Sequence, residues 1–213
     1  MAKLKSGILG GISGTVGNVV GGRWRGIDYI RSKPASVKNP NTEAQRKQRM
    51  RFRLIIQLLR KISPLVTIGF RNGNHTMTGM NRAMSVNIRE AITGTYPDLE
   101  INWENFVFSR GNLAAGGSPS ADLSVEGTAA VTWQNNQEAH NSSDSDGAIV
   151  LFCNTDRDEV IYKLHGASRA DEQIEADIPA EWSGDSIACY LAFRSETDDD
   201  VSDSQFLGIE TAV

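Results

Sequence analysis

Acidic residues are nearly missing from the first 89 positions, where only Asp28 and Glu43 stand against 17 Lys and Arg. Basic residues are as scarce in the remainder, with five of them among 24 Asp and Glu over 90–213. The halves carry about +15 and −19, so the formal net charge of −4 hides a strongly dipolar chain. Long apolar runs are lacking too: no stretch of about 20 apolar residues occurs, which excludes a membrane-spanning helix. The uncharged segment Ser6–Gly22 has seven glycines among its 17 residues and no Ala-x-Ala-like cleavage site. It does not fit a signal peptide, and the protein is read as made in the cytoplasm.

Residues that carry chemistry are equally sparse. Cys153 and Cys189 are the only cysteines; both sit in apolar strand-like stretches, IVLFCN and IACYLAF, and read as small core residues, with a disulfide between them left open. His75, His140 and His165 are scattered, without Cys or carboxylates at ligand spacing, so neither a metal site nor a cofactor is expected. No Gly-x-Ser-x-Gly or other nucleophile–base pairing occurs, and no catalytic residue is assigned; the chain reads as a non-enzyme. The glycine run at 11–17 lacks a Gly-Lys-Ser/Thr ending and a preceding strand, which argues against a phosphate loop. The acidic run Glu196 to Asp200 lacks the ligand spacing of an EF-hand loop and reads as a solvated hairpin tip.

What is present divides into three parts. Residues 1–40 read as an extended, Gly-rich basic arm, because so many glycines would cost a solvated helix about 1 kcal/mol each relative to Ala. Within the arm, Arg23 to Arg31 (RWRGIDYIR) suits a strand. Residues 41–96 read as a helical segment. Thr42-Glu43-Ala44-Gln45 is a capping-box pattern that starts a helix. On that helix Phe52, Leu54, Ile55, Leu58, Leu59 and Ile62 share an apolar face, Arg46, Arg49, Arg53 and Arg60 form an opposite ridge, and Pro64 marks the end. A second helix is expected over about Thr78 to Thr93, stopped by Gly94.

Residues 97–213 turn to short alternating apolar runs separated by polar turns. Strands are predicted near Phe106–Arg110, Ala121–Glu126, Ala129–Trp133, Ala148–Cys153, Glu159–Leu164, Glu172–Ile178, Ser186–Phe193 and Ser204–Glu210. That pattern predicts an antiparallel β-sandwich of the immunoglobulin or fibronectin type III kind, with Trp133 or Trp182 as its buried tryptophan. The fold class is therefore α+β: a basic arm, two helices and a sandwich.

The basic stretch is the candidate partner-binding site. Arg23, Arg25, Arg31, Lys33 and Lys38 interleave with Trp24 and Tyr29, and Arg46, Arg49 and Arg53 continue the positive surface along the helix. Such residues pair with phosphates or carboxylates and offer rings for stacking.

Two segments carry a resemblance. Arg31-Ser32-Lys33-Pro34 followed by Asn39-Pro40-Asn41-Thr42-Glu43-Ala44-Gln45 and the basic residues into Phe52 resembles the RxKP…NPxTxxQxxxR…F signature of an uncharacterised Bacteroidetes family. The closing stretch Ile178 to Asp185, with Tyr190 to Ser195 and Val201 to Ser204, is similar to the same family's C-terminal pattern. The shorter motif over 39–52 also resembles one in small proteins of phage and prophage structural gene clusters. The resemblance implies no activity and no catalytic residues.

The expectation from residues and resemblance together is a non-enzymatic, self-assembling structural protein, a phage-type virion component. Its basic arm and helix would dock on acidic surfaces of neighbouring subunits, forming a homo-oligomer or joining other virion proteins. The alternatives are a nucleic-acid-binding module using the same bases and an adhesin-like, partner-binding sandwich. No small-molecule substrate is expected.

Overall fold

A computed structural model describes residues 3–4, 10–36, 39–71, 77–139, 141–197 and 200–213. Its contacts divide the chain into two units, 1–42 and 43–213.

The first unit is a β-meander. Strands β1 (Lys3–Leu4), β2 (Ile12–Val16), β3 (Val19–Trp24) and β4 (Ile27–Ser32) lie in chain order and pair antiparallel. The extended arm and the single strand over 23–31 are thus replaced by hairpins, and the reason is turn chemistry. Gly17-Asn18 separates β2 from β3 and Arg25-Gly26 separates β3 from β4. Arg25 and Gly26 both have positive φ, +49° and +89°, the signature of a two-residue turn whose twist matches the strands it joins. Glycines that argued against a helix are here accommodating close strand contacts: a Cβ on Gly22 would sit 2.9 Å from the Tyr29 ring, which lies across it.

The second unit has three layers. Helix α1 (Glu43–Lys61) begins directly after Thr42. Pro64 then opens a further short helix, α2 (Ser63–Gly69), in whose first turn a missing N–H costs nothing. The next helix, α3 (Gly79–Glu90), is capped by Thr78, whose side chain accepts from the Asn81 N–H at 3.3 Å. It ends before Gly94. That glycine belongs instead to a hairpin of β5 (Ile92–Thr95) and β6 (Asp98–Ile101), closed by a cis Tyr96–Pro97 bond.

Seven of the eight predicted strands form: β7 (Gly117–Val125), β8 (Thr128–Gln134), β9 (Gly147–Asn154), β10 (Glu159–Lys163), β11 (Gln173–Asp177), β12 (Ser186–Arg194) and β13 (Gln205–Thr211). They make two antiparallel sheets, β11-β8-β7 and β10-β9-β12-β13. The exception is 106–110. Phe106 and Phe108 are buried there, but no strand forms, because the fully buried Asn87 side chain takes the pairing role. Asn87 accepts from the Val107 N–H at 3.0 Å and donates to the Val107 carbonyl at 2.8 Å.

The larger sheet is covered on both faces, as the unbroken apolar character of β9 and β12 requires. Ile149, Leu151, Cys153, Ala188, Tyr190 and Ala192 pack with the helices, while Val150, Phe152, Ile187, Cys189, Leu191 and Phe193 pack with the smaller sheet around Trp133 and Trp182. This period-2 division puts the two thiols on opposite faces of the sheet, so they do not pair, and both are free. Burial pushes the Cys189 thiol up to about 12 and raises Cys153 and Tyr190 as well, so all three stay neutral. Phe52, expected on the apolar face of α1, is half exposed instead, at the middle of the helix and just before Ile55, the first of its buried residues.

Candidate docking surfaces

The structure places the predicted binding residues in two groups, one in each unit. In the meander, cross-strand pairing assigns the faces. Trp24 opposes Ile27, Gly22 opposes Tyr29 and Val20 opposes Arg31, so these share one face; Arg23 opposes Asp28, Gly21 opposes Ile30 and Val19 opposes both Ser32 and Val16 on the other. Trp24, Tyr29 and Arg31 therefore come together, and the Arg25 guanidinium lies 4.9 Å from the Trp24 ring centroid, a cation–π contact at the turn. Arg23 is turned away from them. Its Nε donates to the Gly26 carbonyl at 3.2 Å and faces the Asp28 carboxylate at 3.7 Å. The Lys33 N–H continues the β3–β4 ladder to the Asn18 carbonyl. Lys38 lies outside the described residues.

Among the described residues of this unit, the large apolar side chains on both faces of the sheet are left exposed. Trp24 is 65% exposed, Ile27 69% and Ile30 62%, with Val16 similar. Apolar groups on both sides of a small sheet, ringed by arginines, are what an interaction surface looks like rather than a self-sufficient fold.

The second group lies on α1. Arg46, Arg49 and Arg53 line one open groove with Met50, Leu54 and Gln57, and Tyr96 from the β5–β6 turn forms its wall. Spacings of three and four residues bring these side chains to one stripe, as the helical pattern predicts. Tyr96 and Met50 were not singled out by sequence; Tyr96 arrives through a hairpin whose only local signal is the Tyr-Pro turn. Arg51, by contrast, points inward and donates to the Ile88 carbonyl at 2.6 Å.

Arg169 is inaccessible to solvent, and its guanidinium donates to Asp146 Oδ2 (3.0 Å), Asn136 Oδ1 (2.6 Å) and the Ala114 carbonyl (2.8 Å) while stacking 4.0 Å from the Phe193 ring centroid. Burial lowers its pKa and the Asp146 carboxylate opposes that shift. With its donors engaged and no route to solvent, this pair clamps three loops together and offers nothing to a ligand. Among the described residues, no three His, Cys, Asp or Glu side chains converge as a metal-binding group, and no helix is long and apolar enough to cross a membrane.

The profile of one protein family, described as a family of unknown function (DUF6266), matches residues 11–208. The chain belongs to that family. The DUF6266 match runs through both units, from just before β2 of the meander into β13, the last strand of the second unit. No curated protein matches the chain.

Proposed function

We propose that this DUF6266 member is a non-enzymatic structural protein that assembles by docking its basic N-terminal half on acidic surfaces of neighbouring copies. The observation that carries the reading is the uncovered meander, with Trp24, Ile27 and Ile30 in water and seven bases against one acid over residues 1–42. Each such side chain moved out of water returns about 1.5–3 kcal/mol, so a few of them suffice to offset the cost of association only if a partner covers them together. Charge supplies the choice of partner: 24 acids lie in 90–213, among them Glu175 and Asp177 on the exposed positions of edge strand β11. Contacts between unlike surfaces repeat and build rings or filaments. The virion setting rests on the resemblance of residues 39–52. The two facing sheets are read as a fibronectin type III or immunoglobulin-like sandwich, which the strand order supports, with β8 between β7 and β11 and β9 joined to β12 and β13.

A second reading, nucleic-acid binding, is favoured by one feature: Trp24 with Arg25 across it and Tyr29 on the same face, the pairing of rings and cations that stacks bases. Light scattering at low and high salt, with and without a DNA oligonucleotide, separates the two. Large assemblies that dissolve in salt and vanish when Arg23, Arg25, Arg31 and Lys33 are replaced by Glu support docking. A chain that stays small at every salt concentration and changes mass only with DNA overturns it.

A further inference from the structure

β4 is the last strand of its sheet, and all six of its residues are exposed. The turn before it fixes which backbone groups are unused. A two-residue hairpin closes on a hydrogen-bonded pair, here Trp24 with Ile27, and such pairs recur at every second residue. The Lys33 N–H donating to the Asn18 carbonyl at 2.6 Å agrees, placing the odd-numbered residues of β4 on the β3 side. The N–H and C=O groups of Asp28, Ile30 and Ser32 therefore point outward from the sheet edge.

Proteins ordinarily guard such edges. The second unit does: edge strand β7 contains Pro119 and two register irregularities, and the Lys163 ammonium donates to the Glu175 carbonyl of edge strand β11 at 2.7 Å. β4 has no proline, and its pairing with β3 runs without a bulge. An edge of this kind is a template for another strand.

We propose that β4 pairs edge to edge with β4 of a second copy, antiparallel about a two-fold axis at Ile30, joining two meanders into one continuous sheet. The register follows by elimination. Such an axis stands perpendicular to the sheet and keeps each face on its own side, so opposed residues have the same parity. An axis at Ile27 runs off the end of the strand, opposing Asp28 to Gly26 of the turn; one at Asp28 sets carboxylate against carboxylate, and one at Arg31 sets guanidinium against guanidinium. An axis at Ser32 opposes Ile30 to Pro34, which has no N–H to give. An axis at Tyr29 opposes the Asp28 carboxylate to the apolar Ile30. The axis at Ile30 alone matches like with like: Ile30 meets Ile30 of the second copy, Asp28 meets a Ser32 hydroxyl, and Tyr29 meets Arg31 across the other face, ring against cation. It also engages all three outward residues, giving up to about six backbone hydrogen bonds.

This contact is independent of acidic docking, and salt distinguishes them. Two meanders of like charge repel, so edge pairing tightens as salt rises, whereas docking of basic on acidic surface loosens. Sedimentation velocity of the full chain at about 0.05 and 0.5 M salt, at protein concentrations up to about 100 µM because the contact is small, reads both. At high salt the wild type is expected as a dimer and Ile30→Pro, which removes an outward N–H, as a monomer. A wild-type monomer there overturns edge pairing and leaves docking standing; a dimer at both salts with nothing larger overturns docking and leaves edge pairing standing. Cysteine scanning of β4 fixes the register, since the native thiols are buried. Mild oxidation should cross-link Ile30→Cys in highest yield, because hydrogen-bonded pairs place Cα atoms about 5.5 Å apart, within disulfide reach. Highest yield at Tyr29→Cys, or none along the strand, overturns the assigned register.

Discussion

β4 and β12 are both antiparallel strands rich in aromatic and β-branched or aliphatic residues, yet all six positions of β4 meet solvent while seven of the nine in β12 are buried. Intrinsic strand preference is similar in the two; what differs is what lies above and below. β12 has helices on one face and a second sheet on the other, and the buried Ser202 beside it accepts from the Phe193 N–H at 2.8 Å. β4 has little beyond its cross-strand partners on β3, and its charged side chains are exposed. The contrast teaches that a strand's burial is set by the layers a chain can supply, and that the first unit has surface to offer where the second has stability.

Charge pairs test this contrast most strongly. Asp146→Ala strands the inaccessible Arg169 guanidinium, and unfolding by urea should show a loss of about 3–5 kcal/mol. Breaking the Arg23–Asp28 pair of the meander, whose side chains are 70% and 50% exposed, should leave the same curve unmoved. Next in size is Asn87→Ala. It deprives the Val107 N–H and carbonyl of their partner, at about 1–3 kcal/mol for each group left buried and unpaired. Equal unfolding midpoints for Asn87→Ala and wild type would show that water replaces the amide.

Asn87 also shows where sequence reasoning stops. Apolar runs such as IVLFCN and IACYLAF name their strands, because a strand buried on both faces has no polar side to confuse the pattern. Phe106 to Arg110 looks like such a strand, but its backbone is satisfied by a side chain on α3 about 20 positions away, a partnership that leaves no local signal. The meander was missed for the opposite reason. Its local signals were present, Gly17-Asn18 and Arg25-Gly26 each set between β-forming residues, but a high glycine content masked them. The arginine ridge of α1 was legible because helical periodicity needs no tertiary knowledge. Tyr96 beside it was not, since a hairpin from beyond α3 brings it there.

A smaller effect is expected from acid. Asn154 and Arg157 bind the Asp185 carboxylate and hold its pKa below the usual range, as the Ser168 N–H and hydroxyl do for Asp171. Groups with a depressed folded pKa stabilise the fold while ionised, so this stability is present above the unfolded value of about 4 and is lost as pH falls through the lower folded values. Thermal unfolding followed from pH 7 downward should show the melting temperature falling below about pH 4, and Asp171→Asn should flatten part of that fall. A slope unchanged by Asp171→Asn removes this carboxylate from the account.

The smallest effect on stability should come from the residue with the largest proposed effect on assembly. Trp24 has about two thirds of its surface in water, and its contact with Arg25 is local to the turn. Trp24→Ser therefore removes little buried area, and the unfolding midpoint should move by less than about 0.5 kcal/mol. The same substitution takes the largest ring from the face where Ile27, Tyr29 and Arg31 gather, so assembly at low salt should weaken by an order of magnitude or more, as expected of a central aromatic anchor. Both measurements on one variant separate a docking residue from a folding one. If the midpoint falls with assembly, Trp24 is packed in the free chain and the contrast between β4 and β12 is narrower than their exposures indicate; if neither moves, the face around Trp24 is not where copies meet.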